Sequence, residues 1–190
     1  MDGTPSLTEL LQNFSATKDR EIAGAFLQEA FPELHRIAAS ALQREHKPMP
    51  LTPTELINEA WHTRLHQGHW QVRDRGEFFA IAARTMRFVL VDMARRRLAE
   101  KRNDGEAPVP LDLWNRNQQS NTATPEQIVA MDHILEGLAR ADPEAARIFE
   151  MKHIAGFTLE EIAVIQDLTF RQVRHRWEKA SDWLKKRLGY

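Results

Sequence analysis

FFAIAARTMRFVLVDMARRRLAEKR, residues Phe78 to Arg102, is the stretch that decides the fold class. At about 100° per residue, Ala82, Met86, Val89, Leu90 and Met93 gather on one side of a helix. Arg84, Arg87, Phe88, Val91, Arg95 and Arg102 gather on the other. The first side suits a core and the second is basic. From Arg84 to Arg102, seven Arg or Lys stand against Asp92 and Glu100, a net of about +5 in a chain whose formal net charge is −1. Positive charge concentrated in this way, with an aromatic ring among the arginines, suits a phosphate backbone with an unstacked base beside it. A solvated, salt-bridged helix surface is the other reading of the same pattern.

Apolar residues recur at helical spacing along most of the remaining chain, and alternating strand-like runs are scarce, so the expected class is all-α. A length of 190 residues with 42% hydrophobic residues allows one or two small domains with ordinary cores. The absence of Cys excludes disulfides, thiol nucleophiles and thiolate metal sites. No apolar run approaches the roughly 18 residues of a membrane span, and the first residues lack the pattern of a signal peptide. The expected location is therefore cytoplasmic, with no membrane partner. Gly-rich phosphate loops, nucleophile motifs and catalytic carboxylate pairs are also missing, so no enzyme activity and no cofactor are expected.

On the N-terminal side of the basic helix, Ser6-Leu7-Thr8-Glu9 has the form of a capping box that opens a short helix. Leu34, Ile37, Ala38, Ala41 and Leu42 then follow core-facing helical spacing, with Pro32 expected in that helix's first turn. Pro48 and Pro50 break the chain. Thr52-Pro53-Thr54-Glu55 reads as a new helix start, with Thr52 as N-cap, Pro53 at N1 and Glu55 closing a capping box. The helix that follows should bury Leu56, Ile57, Ala60, Trp61 and Leu65. On its polar side Glu59, His62, His66 and His69 have ligand-like spacing, but no catalytic motif accompanies them, and surface polarity is the preferred account. Gly68 to Glu77 reads as a polar loop leading into the basic helix.

On the C-terminal side, composition changes at Asn103, and up to Thr124 the chain carries Asn turn formers, Ser, Gly and two Pro with little helical periodicity. The expected organisation is two small helical domains, residues 1–102 and 124–190, joined by a flexible linker at 103–123. Val109 to Trp114 is apolar enough to dock somewhere. Thr124-Pro125-Glu126-Gln127 repeats the cap grammar of Thr52 to Glu55, and Asp142-Pro143-Glu144 opens another helix ending near Gly156. Thr158 with Glu161, and Thr169 with Gln172, form two capping boxes eleven residues apart, flanking the short turn Gln166-Asp167-Leu168. Two capped helices with so short a joint are the signature of a helix-turn-helix. In its second helix Val173, Trp177, Ala180 and Leu184 face inward, whereas Arg171, Gln172, Arg174, His175 and Arg176 fall largely on the outer side of the first turns. Those are the positions from which a recognition helix reads base edges. Seven Arg or Lys against Glu178 and Asp182 between Arg171 and Arg187 leave another net of about +5. A plain helical hairpin with a basic surface is the alternative.

Two basic helices on two small helical domains resemble the extracytoplasmic-function (ECF) group of bacterial sigma factors, and the resemblance covers almost the whole chain. LTPTELINEAWHTRL, Leu51 to Leu65, looks like the helix by which such factors hold the clamp helices of the largest subunit of core RNA polymerase. That implies polymerase contacts at Glu55, Asn58, Glu59 and His62. Phe78 to Arg102 looks like the helix that engages and opens the minus-ten element, which implies double- and single-stranded promoter DNA as partners of Arg84, Arg87, Phe88 and Arg95. By position, Gly68 to Glu77 is similar to the family's base-capturing loop and adds His69, Trp70 and Arg73 to that set, although Trp70 reads equally well as core. Leu159 to Leu188 looks like the minus-thirty-five reader, with Arg171, Gln172, Arg174, His175 and Arg176 on DNA. The resemblance further implies a contact with the flap of the second-largest polymerase subunit.

FFAIAARTMR followed by LVDMARRR is similar to a subgroup associated with serine/threonine kinases. The chain departs from the family where its polymerase-binding helix usually opens on a run of acids: two of those places are Thr52 and Thr54. Both residues are candidate phosphorylation sites for a Ser/Thr protein kinase, Thr54 ahead of Thr52. Simple helix capping is the competing account of both. A helix-turn-helix regulator that never joins polymerase is the alternative function for the whole chain.

Overall fold

The computed structural model describes residues 9–10, 13, 20–43, 51–63, 74–103 and 124–188, and among them the secondary structure is entirely helical. Seven helices are defined: α1 (Arg20–Leu42), α2 (Pro53–Thr63), α3 (Arg75–Asn103), α4 (Pro125–Ala141), α5 (Pro143–His153), α6 (Leu159–Ile165) and α7 (Phe170–Leu188). The Ser6–Thr8 part of the first capping box, Leu65, Val109 to Trp114 and most of the loop before α3 lie outside the described residues.

α1 corrects the expectation placed on Pro32. The helix runs through that proline instead of starting there. Proline removes one backbone donor and crowds the preceding turn, at a cost near 3 kcal/mol in a helix interior. Here Pro32 is exposed, while Phe26 and Ala30 before it and Leu34, Ile37, Ala38 and Ala41 after it are buried. One apolar stripe on both sides of the proline holds the helix continuous. A similar correction applies to α3, which begins at Arg75, inside the stretch expected to be loop. Its start is fixed by Asp74, whose Oδ1 accepts the Glu77 backbone N–H at 2.8 Å.

The larger core forms where α1, α2 and α3 meet, around Phe26, Leu34, Ile37, Leu56, Phe78 and Met86. Phe26 and Phe78 pack edge to face at 4.7 Å between ring centroids. This core does not stop at the compositional boundary. Ile148 and Met151 of α5, Phe157, Ile162 of α6 and Val173 of α7 belong to it too. A second, smaller core joins Leu135 and Leu138 of α4, Ala145 and Ala146 of α5, and Ala180 and Leu184 of α7.

Two glycines allow close approaches between the chain's two halves. A Cβ on Gly76 would sit 2.2 Å from Ile165 Cγ2, so only a residue without a side chain lets the start of α3 meet α6. Gly156 follows the end of α5 with φ 75, and a Cβ there would lie 2.7 Å from the Ser40 hydroxyl on α1. Arg36 of α1 reaches the same loop, donating to the Gly156 carbonyl at 3.4 Å and stacking over Phe157 at 4.5 Å.

Candidate nucleic-acid interface

The helix-turn-helix is built by local chemistry. Thr158 and Glu161 cap α6 reciprocally, with the Thr158 N–H donating to Glu161 Oε2 at 2.7 Å and the Glu161 N–H to Thr158 Oγ1 at 3.1 Å. The chain reverses at Gln166 to Leu168, where Asp167 takes φ 51 and the Leu168 N–H reaches back to the Ala163 carbonyl at 3.0 Å. Thr169 and Gln172 then open α7 with a second box. Val173, Ala180 and Leu184 are buried, and the half-buried Trp177 donates its Nε1–H to His153 Nε2 at 3.3 Å, tying α7 to α5.

The opposite side of the first two turns of α7 carries Arg171, Gln172, Arg174 and His175, all exposed. Arg171 makes no ion pair among the described residues. Arg174 pairs along the helix with Glu178 at 2.8 Å, and the half-buried Arg176 reaches Glu144 at 2.6 Å. Gln172 has its side-chain oxygen occupied by the Thr169 N–H and hydroxyl, both at 2.8 Å, which leaves its amide NH2 as the outward group.

On α2, Glu55, Asn58, Glu59 and His62 form an exposed row at the i, i+3, i+4, i+7 spacing of one helix face. Thr52 and Glu55 cap each other: the Thr52 N–H donates to Glu55 Oε2 at 2.6 Å, and the Thr52 hydroxyl to the same oxygen at 2.8 Å. The Thr52 backbone N–H, and after it the hydroxyl, hold the Glu55 carboxyl below its usual range. Thr54, next to Glu55, is exposed, and its hydroxyl makes no hydrogen bond among the described residues. His69, Trp70 and Arg73, with His66, lie outside the described residues.

α3 differs from its reading as one core side and one open basic side. Ala82, Met86, Val89 and Leu90 are buried as expected, but so are Val91 and Arg87 on the basic side. The reason is that α4 and α5 pack across it. Arg87 gives one terminal nitrogen to Asp132 of α4 and the other to Glu150 of α5, the latter at 2.9 Å. Its side chain is 8% accessible, against 1% for Asp132 and 9% for Glu150. Asp132 accepts a second arginine through Oδ2, from Arg95 at 3.0 Å. Burial raises the Glu150 carboxyl above its usual range, and the nearby Arg87 and Arg84 only partly offset this. Arg84 is exposed, and the guanidinium groups of Arg84 and Arg87 lie over the Phe88 ring at 5.6 and 4.6 Å.

Asp132 and Glu150 were not among the residues singled out by sequence, though a signal for them existed. Asp132 follows Ile128 by four and precedes Leu135 by three, and Glu150 follows Ala146 by four, so each is an acid on an apolar stripe.

A capped helix-turn-helix and a second arginine-rich helix, with only helices among the described residues, make the architecture of a DNA-binding transcription protein. The family model "ECF sigma factor" matches residues 4–189, and the chain belongs to that family. No curated protein and no solved structure matches it. Membership brings the role of a polymerase sigma factor, with core RNA polymerase and promoter DNA as partners. Among the described residues no helix is long and apolar enough to cross a membrane.

Proposed function

We propose that this sigma factor docks on core polymerase through the exposed row of α2, engages the minus-ten element with α3 and reads the minus-thirty-five element with the first turns of α7. The observation that carries the reading is the outward set Arg171, Gln172, Arg174 and His175 at the capped N-terminus of α7. Arg can bridge two acceptors of guanine in the major groove, and a recognition helix presents its N-terminal residues there.

Docking through α2 is completed by phosphorylation of Thr54. The first turn of α2 is the positive end of the helix dipole, which is favourable to added negative charge. Thr52 is the poorer acceptor because its hydroxyl is bonded within the cap, whereas the Thr54 side chain is exposed and its hydroxyl has no such bond. A phosphate would add about −1.5 to −2 charge at neutral pH beside Glu55, which restores the acidity that the family's polymerase-binding helix usually carries.

The test is transcription in vitro with core polymerase, using unmodified protein, protein treated with a Ser/Thr kinase, and treated Thr54→Ala protein. Only the treated wild-type chain is expected to bind core tightly and initiate. Equal polymerase affinity before and after treatment would overturn the switch. DNA binding without any transcription in every arm would leave a stand-alone helix-turn-helix regulator.

A further inference from the structure

Between α4 and the C-terminal end of α7 lies a cleft of about 480 Å³. That volume falls within the roughly 300–1,000 Å³ of small-molecule sites. Ile134, Gly137 and Trp183 supply its apolar lining, and His133, Arg140 and Arg187 bring polar groups to it. Among the described residues no Asp or Glu lines it.

The indole is seated by its neighbours and still half-exposed. A Cβ on Gly137 would lie 3.1 Å from Trp183 Cη2, tighter than ordinary van der Waals contact, so the missing side chain is what admits the ring. The Arg187 guanidinium stands over that ring at 5.1 Å to its centroid, which holds a cation at the cleft before any ligand arrives. Arg140 and Arg187 are both exposed, and neither makes an ion pair among the described residues, although Glu136 stands four residues before Arg140. Elsewhere on this half Arg174, Arg176 and Lys179 reach carboxylates at 2.8, 2.6 and 2.7 Å. Two guanidinium groups without acids offer paired N–H donors to a phosphate, and an indole beside them offers a face to a base. Inorganic phosphate would use only the first of these and an apolar ligand only the second. A nucleotide uses both.

We propose that this cleft is a nucleotide site, in which Arg140, Arg187 and His133 take the phosphates and Trp183 with Ile134 takes the base. It stands apart from the turns assigned to DNA, because Arg187 follows Arg171 by sixteen residues, roughly 24 Å along the helix. A bound nucleotide would bridge α4 and α7 beside the smaller core that they share, and so stabilise the folded chain.

The test is a titration of the full chain with an ATP derivative that carries a fluorescent dye on its ribose, followed by competition with ATP, tripolyphosphate and random-sequence duplex DNA. Saturable binding is expected, with ATP displacing the probe at lower concentration than tripolyphosphate, since only ATP brings a base to Trp183. Arg140→Ala/Arg187→Ala should weaken the probe at least about tenfold. Lys185→Ala/Lys186→Ala removes the same charge from exposed neighbouring positions and should change affinity less than about twofold. Trp183→Leu should abolish the advantage of ATP over tripolyphosphate while tripolyphosphate still binds. Should that variant fail to fold, the exposed arginine pair still decides. Absence of saturable binding, equal losses in the two double variants, or equal displacement by ATP and tripolyphosphate overturns the site. Displacement by duplex DNA at matching phosphate concentration would make the cleft part of the DNA surface and overturns it too. None of these readouts uses polymerase or a promoter, so the sigma-factor mechanism can fail with the nucleotide site intact, and the reverse.

Discussion

Asp142 shows how one side chain serves two elements. Its Oδ1 accepts the Ala145 N–H at 3.0 Å as N-cap of α5, and its Oδ2 accepts Lys179 Nζ of α7 at 2.7 Å. Lys179 first, then the Ala145 N–H, hold the carboxyl below its usual range. Asp142→Ala should therefore cost about 1 kcal/mol in urea unfolding at neutral pH, the usual loss for an N-cap. A carboxyl depressed in the folded state contributes stability above its unfolded pKa and loses it as pH falls through the folded value. The gap between wild type and Asp142→Ala should accordingly shrink in acid. A gap that widened on acidification would mean that the carboxylate is not the stabilising form. The cap was legible in Asp142-Pro143-Glu144, because capping is a three-residue affair. The Lys179 partner was not, since it depends on how α7 crosses α5.

At the scale of elements, the same division between near and far recurs. The capping boxes at Thr52, Thr124, Thr158 and Thr169 all form where the sequence places them, and so does the tight turn between α6 and α7. Each is decided within a few residues by hydrogen bonds the segment makes to itself. The extent of α1 was hidden, because a proline is a strong local stop and only burial on both sides of it overrides the signal. For α7 the outward arginines were legible and their partners were not. Arg171→Ala/Arg174→Ala/Arg176→Ala should weaken minus-thirty-five binding by about 1–3 kcal/mol for each side chain that contacts a base. Helical content should be unchanged, because Arg171 and Arg174 are exposed and Val173, Ala180 and Leu184 anchor the helix. Unaltered DNA affinity of the triple variant in an anisotropy titration would remove α7 from the DNA surface. Of the three, Arg176 should show the largest stability effect, since it alone bridges to another helix, at Glu144.

For the whole molecule, the decisive contacts lie between segments distant in sequence, and periodicity is silent on these. The charge of α3 announced a basic surface, and nothing within the segment announced that Asp132 and Glu150 would bury Arg87 within it. Gly76 gives a direct handle on this closure. Gly76→Ala places a methyl group against Ile165 and should destabilise the closed molecule by about 1–3 kcal/mol, the usual cost of overpacking. Ile165→Ala, although destabilising alone, should recover most of that loss when combined with Gly76→Ala. Additive losses in urea unfolding would show that the two residues do not meet.

Arg87 also precedes both of its carboxylate partners in the chain, and this gives the molecule a history as well as a structure. At about 5–20 residues per second, the roughly 60 residues from Arg87 to Glu150 take roughly 3–12 s to synthesise. For those seconds α1, α2 and α3 can assemble around Phe26 and Phe78 while the basic side of α3 still has neither acid to bind. Each nascent chain therefore passes once through an uncovered form on the ribosome. Ribosome-bound chains stalled before Asp132 should retain oligo(dT) more strongly than released full-length protein.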